Sequence, residues 1–410
     1  MKKRIRIVVI ALVVLLSAAV IYLMIDESPP NDADLIVAPL NIPPNENAFT
    51  WFKLAGEKAT DDPYRLTDLI SGEAGPSGER VSWNAQKVDR FLRANDEAFG
   101  LIRRGLACSS IDVPVVKGYD VELPYLSQWR LIARMMALNS IALAKAGRDR
   151  EALDEIVTIV AFGHMVEKGR GGIMHYVVGG AIKYIGLSTL EHVLPGVSLE
   201  PDALKDYVPQ LAAYARNDDA LADSFRHAYV WTAQLTDDLF DGKATVDGKK
   251  ISKVGWNVFF LRNATKRLHA EVHRAAIRNI GRKPGEYEKP PWLNLKSSEL
   301  TLRKNSAGVS LAALNAQGIY KVCQDSLDEQ ARNSAARLLI AAKWAKLKTG
   351  TLPPSLAALV PGYIDKIPDD PFDGKPMRYD PAKKVIYSIG KDLWDSGGSE
   401  GADIVVRMEF

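Results

Sequence analysis

The nineteen residues from Ile7 to Ile25 include only two side chains with polar atoms, Ser17 and Tyr22, and no charge. At 1.5 Å per residue, such a helix nearly crosses a hydrocarbon core of roughly 30 Å, which predicts a membrane span. A cleavable signal peptide is the alternative, because Lys2, Lys3, Arg4 and Arg6 precede the run and Ser17-Ala18-Ala19 offers small residues near a cut. The run continues through Val20, Ile21, Leu23, Met24 and Ile25, longer than an ordinary signal core, and this favours a retained anchor. Basic residues before the helix and Asp26, Glu27, Asp32 and Asp34 after it predict a cytoplasmic N-terminus with the remainder outside the cytoplasm.

Residues 26–45 are polar and punctuated by Pro29, Pro30, Pro39, Pro43 and Pro44, the pattern of a semi-rigid spacer that lifts a folded body off the membrane. From Glu46 onward apolar positions recur at helical spacing, first at Phe49, Phe52 and Leu54, then at Val88, Phe91, Leu92 and Phe99. A nearly all-apolar helix from Tyr125 stops at Ala146-Gly147, and a second helix sets Leu153, Ile156, Val157 and Val160 on one face. This predicts an αα-hairpin with a glycine turn. The spacing of Ala144, Gly147, Ala152 and Leu153 is similar to the middle of a tetratricopeptide-type repeat, but no second copy follows at a fixed period.

The segment Ile173 to Leu194 is apolar enough to suggest a second span. Its Lys183, His175, Glu191 and three glycines predict a buried central helix instead. Further helices are expected over Ala203–Ala215, Ala220–Phe240 and Val258–Ile280, then a Pro/Gly-containing break over Gly281–Asn294, then two helices over Asn305–Gln324 and Asp325–Leu347. Beyond Gly350 proline and glycine become frequent, and short β-type runs stand at 377–379, 385–388 and 404–406.

Composition adds little to this pattern. With 47% hydrophobic and 25% charged residues the chain can bury a sizeable core, which excludes wholesale disorder. The four basic residues before the anchor exceed the whole net charge of +3, so the body has no global reason to seek nucleic acid. Cys108 and Cys323 could be bonded to each other or be two unlinked buried thiols, and they are too few for a zinc framework.

The C-terminal segment runs Gly350-Thr351-Leu352-Pro353-Pro354-Ser355-Leu356, then Ile367-Pro368-Asp369-Asp370-Pro371-Phe372-Asp373-Gly374-Lys375-Pro376, then Tyr387-Ser388-Ile389-Gly390-Lys391-Asp392. In this order of motifs, over about 75 of the 410 residues, it resembles the globular end of type II secretion major pseudopilins. The chain as a whole resembles bacterial membrane-anchored helical proteins with such an ending. The resemblance implies a helix leading into a short antiparallel sheet and a calcium-binding loop. Asp392 and Asp403 match the loop's aspartates, and Asp395 adds an oxygen beside Gly397-Gly398, so a structural Ca2+ on Asp392, Asp395 and Asp403 is expected. The family's prepilin-peptidase site and glutamate are missing from the N-terminus, which argues against processing and polymerisation as a pilin subunit.

Other candidate chemistry is weaker. His269 and His273 stand at i and i+4 but lack the spacing of a zincin, and a helix surface that carries histidines is the plainer expectation. Glu271 between them should point away from their face. Between Lys243 and Lys304 fifteen Lys and Arg face five Asp and Glu, which suggests that Arg262, Lys266, Arg267, Arg274 and Arg278 bind an acidic partner, anionic lipid or cell-wall polymer. Gly72, Gly75 and Gly78, and likewise Gly169-Arg170-Gly171-Gly172, lack the strand and helix of a phosphate loop.

These readings predict a mainly α protein. Residues 1–25 form a basic tail and transmembrane helix, 26–45 a Pro-rich spacer, 46–325 an α-helical domain containing the αα-hairpin, and 326–410 a small α+β pseudopilin-like module. The expected role is that of a structural or interaction protein anchored in a bacterial inner membrane through residues 7–25, its bulk extracytoplasmic, with envelope or secretion proteins as partners and no nucleic acid. The alternatives are a binder of anionic envelope polymer and a cell-envelope hydrolase whose site gathers His164, His175, Glu167 or the His269 pair with carboxylates. No catalytic residue is assigned by the sequence.

Overall fold

A computed structural model of the chain describes residues 2–60, 62, 82–114, 122–246, 249–250, 260–294 and 304–410. Gly72, Gly75, Gly78 and the start of the helix expected at Val258 lie outside these residues. Among them, eleven α-helices and five short strands form a mainly helical protein. The first helix, α1 (Lys2–Met24), is the one described helix long and apolar enough to cross a membrane, and none of its apolar window is buried against the rest of the chain.

Short helices α2 (Ala48–Lys58), α3 (Ala85–Ala94) and α4 (Asp96–Leu106) precede the central layer. Asn47 and Asn84 start α2 and α3 with side-chain carbonyls that accept from Phe49 N and Lys87 N. The αα-hairpin is present as α5 (Pro124–Lys145) and α6 (Asp149–Glu167). Gly147, at φ 73°, makes the left-handed turn between them, and Arg148 N closes it on Leu143 O at 2.9 Å. Phe52, Trp129, Ile132 and Phe162 fill the space between α2, α5 and α6.

Helix α7 (Ile173–Val193) is the buried helix the sequence predicts. Its glycines are its contact surface: a Cβ on Gly163 of α6 would stand 2.5 Å from Gly179 O, and one on Gly179 would stand 2.6 Å from Gly163 O. Only glycine lets the two backbones approach this closely.

The expected helix over 203–215 is shorter, a 3-10 turn at Pro201–Leu204 followed by α8 (Tyr207–Ala213). Helix α9 (Asp218–Asp241) ends at a left-handed Gly242, and the two-residue strands β1 (Thr245–Val246) and β2 (Lys249–Lys250) pair beyond it. Helix α10 spans Arg262–Asn279.

The two helices expected over 305–347 are one. Helix α11 (Ser306–Thr349) continues for 44 residues, roughly 66 Å at 1.5 Å per residue, until Gly350 at φ 79° ends it. No proline occurs in 306–349 and no glycine after Gly318 to interrupt it, and Lys321 and Asp325 form an i, i+4 pair across the expected boundary. The division placed at residue 325 therefore falls inside a continuous helix.

Beyond α11, strands β3 (Arg378–Asp380), β4 (Val385–Ser388) and β5 (Ile404–Arg407) form an antiparallel sheet in the order β3-β4-β5, where the short β-type runs predict strands. Every residue of β4 is buried. Ile386, Val406 and Met408 join Leu338, Leu339 and Ile156 in one apolar core, so the sheet shares its interior with α6 and α11.

Residues 26–45 are not a free spacer. Leu35 is fully buried beside Tyr229 and Ala270. Asp26 accepts from Asn263 N and Ala264 N at 2.8 and 3.1 Å, a carboxylate cap for a helix that has no capping side chain of its own. Glu27 pairs with Arg267 at 3.0 Å, Asp32 accepts from Tyr229 Oη at 2.5 Å, and Asp34 pairs with Arg274 at 2.6 Å. Arg170 holds Ala38 O, and Asp112 accepts from Leu40 N. The acids after the membrane run thus bind the segment along α9 and α10 as a strap. Leu35→Ala should cost this docking about 2–5 kcal/mol and speed hydrogen exchange over residues 26–45 without a matching change in α5 and α6.

Candidate functional site

Three ionisable side chains from three helices meet in the interior. Lys183 lies mid-way along α7 with no exposed surface, Glu167 ends α6, and Glu329 faces them from α11. Lys183 Nζ donates to Glu167 Oε2 at 3.1 Å and to Glu329 Oε1. Tyr176 Oη reaches Glu329 Oε2 at 3.5 Å. The close glycine crossing of α6 and α7 brings Glu167 and Lys183 together, since the same Gly163 and Gly179 positions abut both side chains.

Burial dominates the electrostatics. It raises the Glu167 carboxyl well above its ordinary value, reinforced by the charge of Glu329 and opposed by Lys183. Burial pushes the neighbouring His164 imidazole down to about 4, with Lys183 and Lys168 acting in the same direction, so His164 is neutral at pH 7. Its Nδ1 lies 3.9 Å from Glu167 Oε2 and has no hydrogen-bond partner.

Beside the cluster a cavity of about 190 Å³ opens between α7 and α11, with mostly apolar walls and Asp325, Asp328 and Glu329 at one end. The one serine hydroxyl in the lining, Ser326 Oγ, donates to Cys323 O in its own helix rather than to a base. The arrangement can hold charge and bind donors; it does not present an acyl-transfer constellation.

The remaining hydrolase candidates do not converge. Among them only His164 has a candidate carboxylate, Glu167, beside it. His175 donates from Nδ1 to Gly171 O at 2.7 Å and receives the Tyr125 hydroxyl on Nε2 at 3.0 Å, away from any carboxylate partner. Its ring fills the place a side chain at Gly171 would take, which accounts for that glycine without a phosphate. His269 and His273 are not on a helix surface, as expected from sequence, but buried. His273 Nδ1 donates to His269 O, Asn315 contacts His269 Nδ1, and burial pushes the two imidazoles down to about 4 and about 3 respectively. Glu271 does face elsewhere, accepting from Trp292 Nε1 at 2.8 Å.

The expected calcium ligands have partners from the chain. Asp403 accepts from the backbone of Ser396, Gly398 and Ser399, Asp395 from Gly397 N and Arg378 Nε, and Asp392 from Trp394 N. Among the described residues no group of three or more histidine, cysteine, aspartate or glutamate side chains is arranged to hold a metal ion.

The basic residues of α10 are likewise paired within the chain. Arg262 meets Asp241 and Asp237, Lys266 meets Asp237, Arg267 meets Glu27, Arg274 meets Asp34, and Arg278 meets Glu288. Cys108 and Cys323 are separate free thiols.

Sequence reasoning missed the role of Lys183 and did not single out Glu329. The available signal was a lysine one turn from Gly179-Gly180 and three residues from Gly186 in an apolar helix, which demands a buried counter-charge. The chain matches no protein-family model, no curated protein and no solved structure.

Proposed function

We propose that this protein is a membrane-anchored extracytoplasmic structural and interaction protein of the bacterial inner membrane, its N-terminus cytoplasmic, serving type II-like secretion or envelope assembly. The observation that carries the reading is the strap. A helix able to span a bilayer leads directly into a segment bound along α9 and α10, so the anchor holds the folded body in a fixed attitude. The resemblance of the C-terminal end to pseudopilins supports an interaction role for that module, which carries an exposed large hydrophobic pair, Trp394, 72% exposed, beside Leu393. Leu393 takes a left-handed backbone at φ 60°, a conformation costly for a branched side chain.

Deleting the module would expose the core it shares with α11, so surface substitution is the cleaner test. Full-length protein and the Leu393→Asp, Trp394→Asp double variant are crosslinked in cells and purified from detergent-solubilised membranes. Secretion or envelope components recovered with the wild type and lost with the variant support the proposal. Equal recovery from both, or none from either, overturns the interaction role assigned to the module.

A further inference from the structure

The cavity between α7 and α11 meets the ion cluster at one point. Gly180 lines the cavity, and a Cβ there would lie 3.7 Å from Glu167 Oε1 and 3.8 Å from Glu329 Oε2. The missing side chain leaves room at this point for the carboxylate of Glu329, which lines the cavity, with the fully buried Glu167 beside it.

Acceptors outnumber donors at that end. Lys183 donates to Glu167 Oε2 and Glu329 Oε1, leaving Glu167 Oε1 buried without a partner, while Glu329 Oε2 has only the long contact to Tyr176. Asp328 Oδ1 is also buried and unpartnered. Two cations stand at the cavity without partnering these oxygens: Lys391 binds Asp325 Oδ1 and Asp328 Oδ2, and Arg332, itself in the lining, stands over the Tyr184 ring at 4.8 Å. Unpaired buried acceptors are costly, and a donor-rich cation would satisfy them.

Apart from Arg332 and Ser326 the rest of the lining is mainly apolar or aromatic, with Val177, Ala181, Leu187 and Val322 among its walls. A strongly hydrated metal ion gains nothing from such walls. We infer that this cavity binds a small primary amine, its ammonium group between Glu329 and Asp328 at the Gly180 opening and its hydrocarbon body against the apolar wall. A cavity of about 150 Å³ can hold benzene, so 190 Å³ suits a single ring or a short alkyl chain carrying the amine. The inference does not rest on the role proposed for the C-terminal module, and its test reads only binding.

Benzylammonium and its neutral counterpart benzyl alcohol are titrated by calorimetry into the full-length protein in lipid nanodiscs, with empty nanodiscs as the reference. Saturable binding of benzylammonium at one site, about tenfold or more tighter than the alcohol, is expected. Gly180→Leu should abolish it, because a side chain enters the cavity there without meeting backbone. Asp328→Asn should weaken it while leaving the circular dichroism unchanged, which keeps the test decisive if the leucine variant fails to fold. No saturable uptake of benzylammonium, equal affinity for the alcohol, or undiminished binding by Asp328→Asn overturns the inference.

Discussion

Replacing Lys183 with methionine should destabilise the folded body by about 3–5 kcal/mol, the cost of leaving buried carboxylates without their cation. The lysine is fully buried, and Glu167 and Glu329 both depend on it. The loss should depend on pH in a defined direction. Lys183 lowers the Glu167 pKa, so its removal raises a value that burial has already lifted above the ordinary 4.5. The folded variant then holds a proton that the unfolded chain releases above about pH 4.5, and its stability falls as the pH rises through that window. Denaturant titrations at pH 4 and pH 7 should show the larger deficit at pH 7. Adding Glu167→Gln and Glu329→Gln to the variant should recover most of it, because the uncompensated charges are then gone. A deficit under about 1 kcal/mol at pH 7 would mean that the three groups are not held as an ion cluster.

A comparable loss is expected from Asp370→Ala in the C-terminal module. Asp370 is fully buried, and its carboxylate accepts from Phe372 N at 3.0 Å, Ser388 Oγ at 2.9 Å, Ile389 N at 3.0 Å and Arg378 Nη1 at 2.8 Å. Alanine orphans these donors together, at a cost of about 3–5 kcal/mol. Asparagine keeps an acceptor but loses the charge and should cost roughly half as much. Because β4 packs in the core shared with α11, hydrogen exchange should quicken in β4 and in the second half of α11 together. Loss of protection confined to β3 and its turns would show that Asp370 is only a local brace.

The places where the sequence was legible are those governed by near neighbours. Gly147 marks the α5–α6 turn because a left-handed residue must stand there, and the runs of Val, Ile and Tyr at 385–388 and 404–406 mark strands. Burial of α7 followed from its glycines and its lysine, although nothing local named Glu329, 146 residues further on, as the counter-charge. The strap was illegible for the same reason: Asp26 and Asp34 meet residues 237 and 240 positions away, so a polar, proline-bearing segment looked free. The histidines of α10 were assigned to the surface by their polarity, yet His269 and His273 are buried among residues such as Ala270 and Val272. The basic excess of the same helix had the look of an external binding face because its acids come from α9 and the strap.

The strap also sets the geometry of encounter at the bilayer. A free linker of twenty residues would let the body wander by roughly 25 Å about its attachment, diluting any surface it presents through that volume. Bound along α10, residues 26–35 contribute almost none of this play. On the proposed anchoring, each exposed feature of the body would keep a near-constant height above the lipid, and a second membrane protein would find it by diffusion in two dimensions at a raised effective concentration.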